Sequence, residues 1–162
     1  MTQIEAMAGT RASLEGGQYL TFTLGHEEYG VEILRVQEIK GYSPVTPIPN
    51  TPAYVRGVMN LRGAIIPVMD LRMKFGMPEA EYTAFTVIIV VTVGAKTMGV
   101  IVDSVSDVLI IGKGDVQPTP DFGGTVDAGF IHGIARAGEK LVALLDLDRA
   151  LGNLDLTPVA AV

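Results

Sequence analysis

The sequence predicts a mainly β protein of two similar lobes packed along a shared apolar seam. Strand-like runs are short and broken by frequent turns, the second half of the chain repeats the first, and 48% of the 162 residues are hydrophobic. A chain of this length buries roughly 70% of its unfolded surface, enough for one domain of two small lobes. Short strands with many turns favour small closed barrels, which leave no unpaired edge to aggregate.

The repeat emerges when Phe22-Thr23-Leu24-Gly25 is set against Val91-Thr92-Val93-Gly94, an offset of 69. Gly30-Val31 then falls on Gly99-Val100, Ile33 on Val102, Val36 on Val105, Glu38 on Asp107 and Ile39 on Val108. Further on, Arg56-Gly57-Val58 matches His132-Gly133-Ile134, and Val68-Met69-Asp70-Leu71 matches Leu144-Leu145-Asp146-Leu147, both at an offset of 76. The seven extra residues lie between Val105 and His132, in or near the Gly- and Pro-rich stretch Gly112 to Gly124, where insertions are tolerated. A period near 70 is too long for a solenoid and each lobe alone would be marginal, so the two share a core. The expected organisation is a tail over 1–17, one domain over 18–152 with lobes of about 18–83 and 84–152, and a tail over 153–162. Strand exchange between the lobes is left open.

In order along the chain, residues 1–17 show no steady period and end in Gly16-Gly17, as expected of a mobile tail. Leu20, Phe22 and Leu24 alternate with Tyr19, Thr21 and Thr23, the pattern of a half-buried strand. Gly25-His26-Glu27-Glu28 turns it into a second strand at Tyr29-Gly30-Val31. The run Ile33 to Ile39 suits one helical turn leading into a strand. Pro44, Pro47, Pro49 and Pro52 bar that segment from a central strand and predict an ordered surface loop.

Val55 to Leu71 reads as a β-hairpin, two apolar runs around Asn60-Leu61-Arg62-Gly63. Asn at the first position and Gly at the fourth suit a type I turn, with Arg62 near the tip beside a permissive glycine. Gly57 through Asp70 recurs as Gly133 through Asp146, but this turn has no copy, which marks the tip as the part kept for function. Asp70 is placed to cap a short helix, Leu71 to Phe75, with Gly76 past its end.

Charge and composition exclude several classes. A net charge of −6 opposes binding through phosphate neutralisation, so neither nucleic acid nor an anionic membrane surface is an expected partner. The absence of cysteine removes disulfides, thiolate metal sites and cysteine nucleophiles. Phe85 to Ala95 is too short to span a bilayer, and the N-terminus lacks the pattern of a signal peptide, so a cytoplasmic protein is expected. Catalytic motifs are missing too. Gly112-Lys113-Gly114-Asp115 lacks the leading glycine and the Ser or Thr of a phosphate loop, and Asp103 to Asp107 lacks the terminal glutamate of a calcium loop. Asp70 and Asp146 each open an Asp-Leu segment of their own lobe and are read as caps, not paired acids. His26 and His132 have no neighbours that suggest a triad or a metal set. No cofactor or metal is expected, and exposed recognition residues on loops point to a binding module.

The motifs Glu28-Tyr29-Gly30-Val31, Val36-Gln37-Glu38-Ile39, Asn50-Thr51-Pro52, Gly57 to Gly63, Pro67 to Arg72 and Val102 to Val108, together and in order, resemble the CheW family of bacterial chemotaxis coupling proteins. The likeness runs from about Gln18 to Leu151. It implies two five-stranded, SH3-like barrels around a shared hydrophobic core, with short helices. It implies a non-enzymatic adaptor that bridges methyl-accepting chemoreceptors to the regulatory domain of the histidine kinase CheA, in the cytoplasm at membrane receptor arrays, alongside other copies in array rings. Carried over, Val36, Val105, Ile33 and Val108 form the receptor groove, and Glu38, Asn60 and Arg62 the recognition face. Val45, Ile48 and Ile65 form a first kinase contact, and Gln117 and Phe122 a second, with Gln117 standing where a basic residue is common in relatives. The alternatives are a scaffold of a non-motility chemosensory pathway, or a small-ligand or enzymatic barrel using the inter-lobe groove. A coupling protein with a receiver domain is disfavoured by the end of the chain at Val162.

Overall fold

Strand order in the sheets departs from strand order in the chain. The computed structural model describes residues 17–78, 81–118 and 130–152. The strands are β1 (Gly17–Leu24), β2 (Glu27–Glu32), β3 (Val36–Gly41), β4 (Val55–Leu61), β5 (Ala64–Asp70), β6 (Val87–Val93), β7 (Lys96–Val102), β8 (Ser104–Ile111), β9 (Val116–Gln117), β10 (Ile131–Ala137) and β11 (Lys140–Leu145). Two short helices follow β5 and β11: α1 (Leu71–Lys74) and α2 (Leu147–Leu151). One sheet runs β8-β1-β2-β11-β10-β9 and the other β3-β6-β7-β5-β4.

The sequence repeat is also a structural one, with β1, β2 and β3 recurring as β6, β7 and β8, and β4, β5 and α1 as β10, β11 and α2. Each sheet, however, takes strands from both repeats. The β1-β2 hairpin completes the sheet of β8, β10 and β11, and the β6-β7 hairpin completes that of β3, β4 and β5. The chain crosses between sheets at the 3-10 turn Ile33–Arg35 and again at Asp103. The sheets therefore do not divide the chain near residue 83.

This exchange overturns the half-buried reading of β1. Leu20, Phe22 and Leu24 enter the shared core, but Tyr19 and Thr21 are equally inaccessible. The strand lies between β8 and β2, so one face meets the seam and the other the interior of its own lobe, where Tyr19 packs with Ile111, Ala135, Val142 and Leu144. The Thr21 hydroxyl is satisfied by Asp107, donating to its carbonyl and accepting from its N–H, both at 3.1 Å. β6 repeats the arrangement, with Ile89, Val91 and Val93 in the seam and Ile88 and Val90 inside the second lobe.

An ion pair clasps each crossing to a helix. Arg35 makes a two-pronged contact with Asp148 of α2 at 3.0 and 2.9 Å, and Asp148 also accepts from the Gly94 N–H. At the other crossing Asp103 receives Arg72 of α1 at 2.7 Å and the Gly25 N–H at 2.8 Å. Arg72 and Asp148 are repeat counterparts, as are Gly25 and Gly94, so the clasp recurs with its charges reversed.

The Pro-rich loop is ordered, as expected. Thr46 exchanges backbone hydrogen bonds with Val58 at 2.9 and 2.8 Å, so the loop runs along the outer edge of β4. Gly57 has a φ of 149°, and a side chain there would collide with the Thr46 carbonyl.

Candidate protein-docking surface

The seam ends at two edge rows. Paired residues of neighbouring strands share a face. Val36 pairs with Val91 and Ile39 with Ile89, and on the other sheet Val105 pairs with Phe22 and Val108 with Leu20. All four partners belong to the shared core, so the β3 and β8 residues border it, one row from each lobe. Val36, Val105 and Ile33 are half-buried against that core, whereas Ile39 and Val108 are 44% and 46% exposed. The repeat aligns Ile39 with Val108, so the signal for Ile39 was already present in the sequence.

The hairpin tip differs from its sequence expectation. Leu61 pairs with Ala64, leaving a two-residue turn of Arg62 and Gly63 with φ values of 51° and 92°. Positive φ at both positions belongs to the type I′ family, which matches the twist of paired strands where type I would splay them. Asn60 thus lies on β4 and not in the turn, and its side-chain oxygen accepts from the Gly63 N–H at 2.8 Å. Arg62 reaches β3, with Nη1 2.8 Å from Glu38 Oε2. The Glu38 side chain is 22% exposed and that of Arg62 72%. That oxygen accepts no aligned hydrogen bond, so the contact is an ion pair across the lobe, from one terminal strand to the opposite hairpin.

The other residues are more scattered. Val45 packs against the second lobe's core, and the Ile48 carbonyl accepts from the Thr51 hydroxyl at 3.0 Å. Ile65 stands 64% exposed on β5, and its counterpart Leu141 65% on β11. Gln117 is exposed on β9, at the end of the other sheet, and Phe122 lies outside the described residues.

The two repeat-related aspartates are occupied structurally. Asp70 caps α1, accepting from the N–H groups of Arg72 and Met73 at 2.9 and 3.4 Å, and its second oxygen accepts from the Tyr82 hydroxyl at 2.7 Å. Asp146 caps α2 through the Arg149 N–H at 3.2 Å. Both aspartates are caps, as the sequence implied. The Tyr82 latch carried no local sequence signal, since it joins the segment between the repeats to a buried acid. Burial pushes the His132 pKa down, opposed by the Asp146 charge. Among the described residues no three side chains gather that could hold a metal ion, and no helix is long and apolar enough to cross a membrane.

Two strand-exchanged lobes with apolar rows at their junction make a module for binding other proteins. The chain belongs to the CheW-like domain family, whose profile matches residues 18–155. It is similar to Chemotaxis protein CheW of Klebsiella aerogenes, at 43% identity over 144 residues covering 89% of this chain and 87% of that protein. It is likewise similar to Chemotaxis protein CheW of Rhizobium meliloti, at 41% identity over 82% of this chain and 86% of the relative. The crystal structure of the scaffolding protein TtCheW from Thermoanaerobacter tengcongensis matches with a TM-score of 0.80 at 33% identity, covering 87% of this chain and 98% of that one.

Proposed function

We propose that this chain is a non-catalytic adaptor coupling the cytoplasmic tips of methyl-accepting chemoreceptors to the regulatory domain of the histidine kinase CheA, in the cytoplasm at membrane receptor arrays. The observation that carries this is the pair of apolar rows bordering the seam, exposed at Ile39 and Val108 and backed by core at Val36 and Val105. A patch of that kind on a folded domain suits a protein partner. Val36, Ile33, Val105, Val108 and Ile39 form the receptor groove in this proposal. Glu38, Asn60 and Arg62 form the recognition face, where the turn fixes Arg62 over Glu38. The exposed Ile65, with Val45 and Ile48 beside β4, makes the first kinase contact, while Gln117 and Phe122 make the second. The domain over 18–152 acts as one unit, because each lobe is completed by the other repeat's hairpin.

Signal passes by linkage. An adaptor shifts a kinase equilibrium only by the difference in its affinities for the two states, and equal affinity shifts nothing. Co-sedimentation of the chain with receptor-bearing vesicles and CheA tests the proposal. A ternary pellet that requires the chain is expected, and a pellet of unchanged composition without it would refute the coupling role.

A further inference from the structure

The two rows are repeat counterparts, so an elongated partner lying across both would fit almost equally well when turned end for end. Only residues that differ between the rows can favour one polarity. Beyond Val108 the β8 row continues to Ile110, which is 79% exposed, whereas its counterpart on β3 is Gly41, with open space where a side chain would stand. Ile110 pairs with Gln18 and Gly41 with Val87, so both lie on the seam face. The apolar group at this level is the half-buried Val87 on the inner strand of one sheet, and the exposed Ile110 on the outer strand of the other. Arg62 also lacks a matching counterpart, its place being taken by Gly138, but its ion-pair partner Glu38 pairs with Val90, which faces the lobe interior, and so belongs to the other face of β3.

We propose that Ile110 sets the polarity in which the receptor tip docks across the seam, as a specificity residue present on one wall only. The proposal rests on the receptor-groove reading above. Covering one isoleucine favours the matched polarity by about tenfold or more.

The absence of cysteine makes the test direct. Ser43→Cys and Gly112→Cys, counterparts just past the two rows, each carry a nitroxide in the full chain. The probe is a soluble cytoplasmic fragment of a methyl-accepting chemoreceptor with a second nitroxide on one side of its tip, and pulsed EPR reads the distance. The native chain should give one short and one long distance. Ile110→Gly should weaken binding about tenfold and return both distances from each site. Ile110→Ser, which keeps a Cβ, should do the same. Gly41→Ile combined with Ile110→Gly should exchange the short and long sites. Unchanged affinity and a single unchanged polarity in Ile110→Gly would overturn the polarity role and leave the groove standing. Failure of the native chain to bind the fragment would overturn the groove reading, and the proposal with it.

Discussion

Arg62 reaches Glu38 at 2.8 Å from a left-handed backbone position, φ 51°, that the second repeat gives to Gly138 at φ 66°. A non-glycine residue there carries strain of order 1 kcal/mol. The ion pair is largely exposed at Arg62, a setting where such pairs contribute about 0–1 kcal/mol. Stability alone therefore gives little reason for the arginine. Arg62→Gly should leave thermal unfolding within about 1 kcal/mol of the native chain, while weakening the complex with receptor and kinase. Arg62→Glu should impair assembly and Glu38→Arg should partly restore it. A double-mutant cycle showing no coupling would contradict direct pairing.

The groove residues differ in how cleanly they can be tested. Val108 is 46% exposed, so Val108→Asp should change unfolding free energy by only about 0.5 kcal/mol or less while abolishing receptor pull-down. Val36 packs against the shared core, so Val36→Asp should lower both stability and binding. Urea unfolding beside a pull-down separates the two. Full receptor binding by Val108→Asp would remove that residue from the groove.

Gly57 links the Pro-rich loop to the sheet. Gly57→Ala adds a methyl group against the Thr46 carbonyl at a φ disfavoured for alanine, so it should cost about 1–3 kcal/mol and release the loop from β4. Amide exchange at Val58, whose N–H donates to Thr46 at 2.8 Å, should accelerate. Protection equal to the native value would show that the loop tolerates the side chain.

Much of the fold was legible because its signals are local or periodic. Asp70 and Asp146 are recognisable as caps because they open similar segments, and the repeat alone makes Val36 and Val105 counterparts. Strand exchange is not legible in this way, since a repeat fixes which strands are alike but not which pair together. Tyr19 and Thr21 passed for exposed residues because alternation cannot distinguish a solvent face from a second buried one. The turn was displaced by one residue because Asn60 and Gly63 suit two turn types, and strand twist chose between them. Ile110 went unnoticed because its significance lies in the contrast with Gly41.

His132 predicts a pH dependence. Burial holds its pKa below the ordinary 6.5, so the unfolded chain binds the proton more readily. Its contribution to stability is complete above that ordinary value and falls as the medium is acidified through it. This group should therefore lower the calorimetric melting temperature as the pH falls from about 7, while Glu32, whose carboxyl pKa burial pushes up, acts in the opposite sense. His132→Gln should flatten that slope, and an unchanged slope would assign it to other groups.

The coupling role itself is tested most directly by ATP-dependent autophosphorylation of CheA on receptor-bearing vesicles, with and without this chain. Strong activation by the native chain, attenated receptor control with Arg62→Glu and no receptor-dependent activation with Val108→Asp are the expected results. Kinase activity and receptor control unaffected by adding the native chain would contradict the adaptor function.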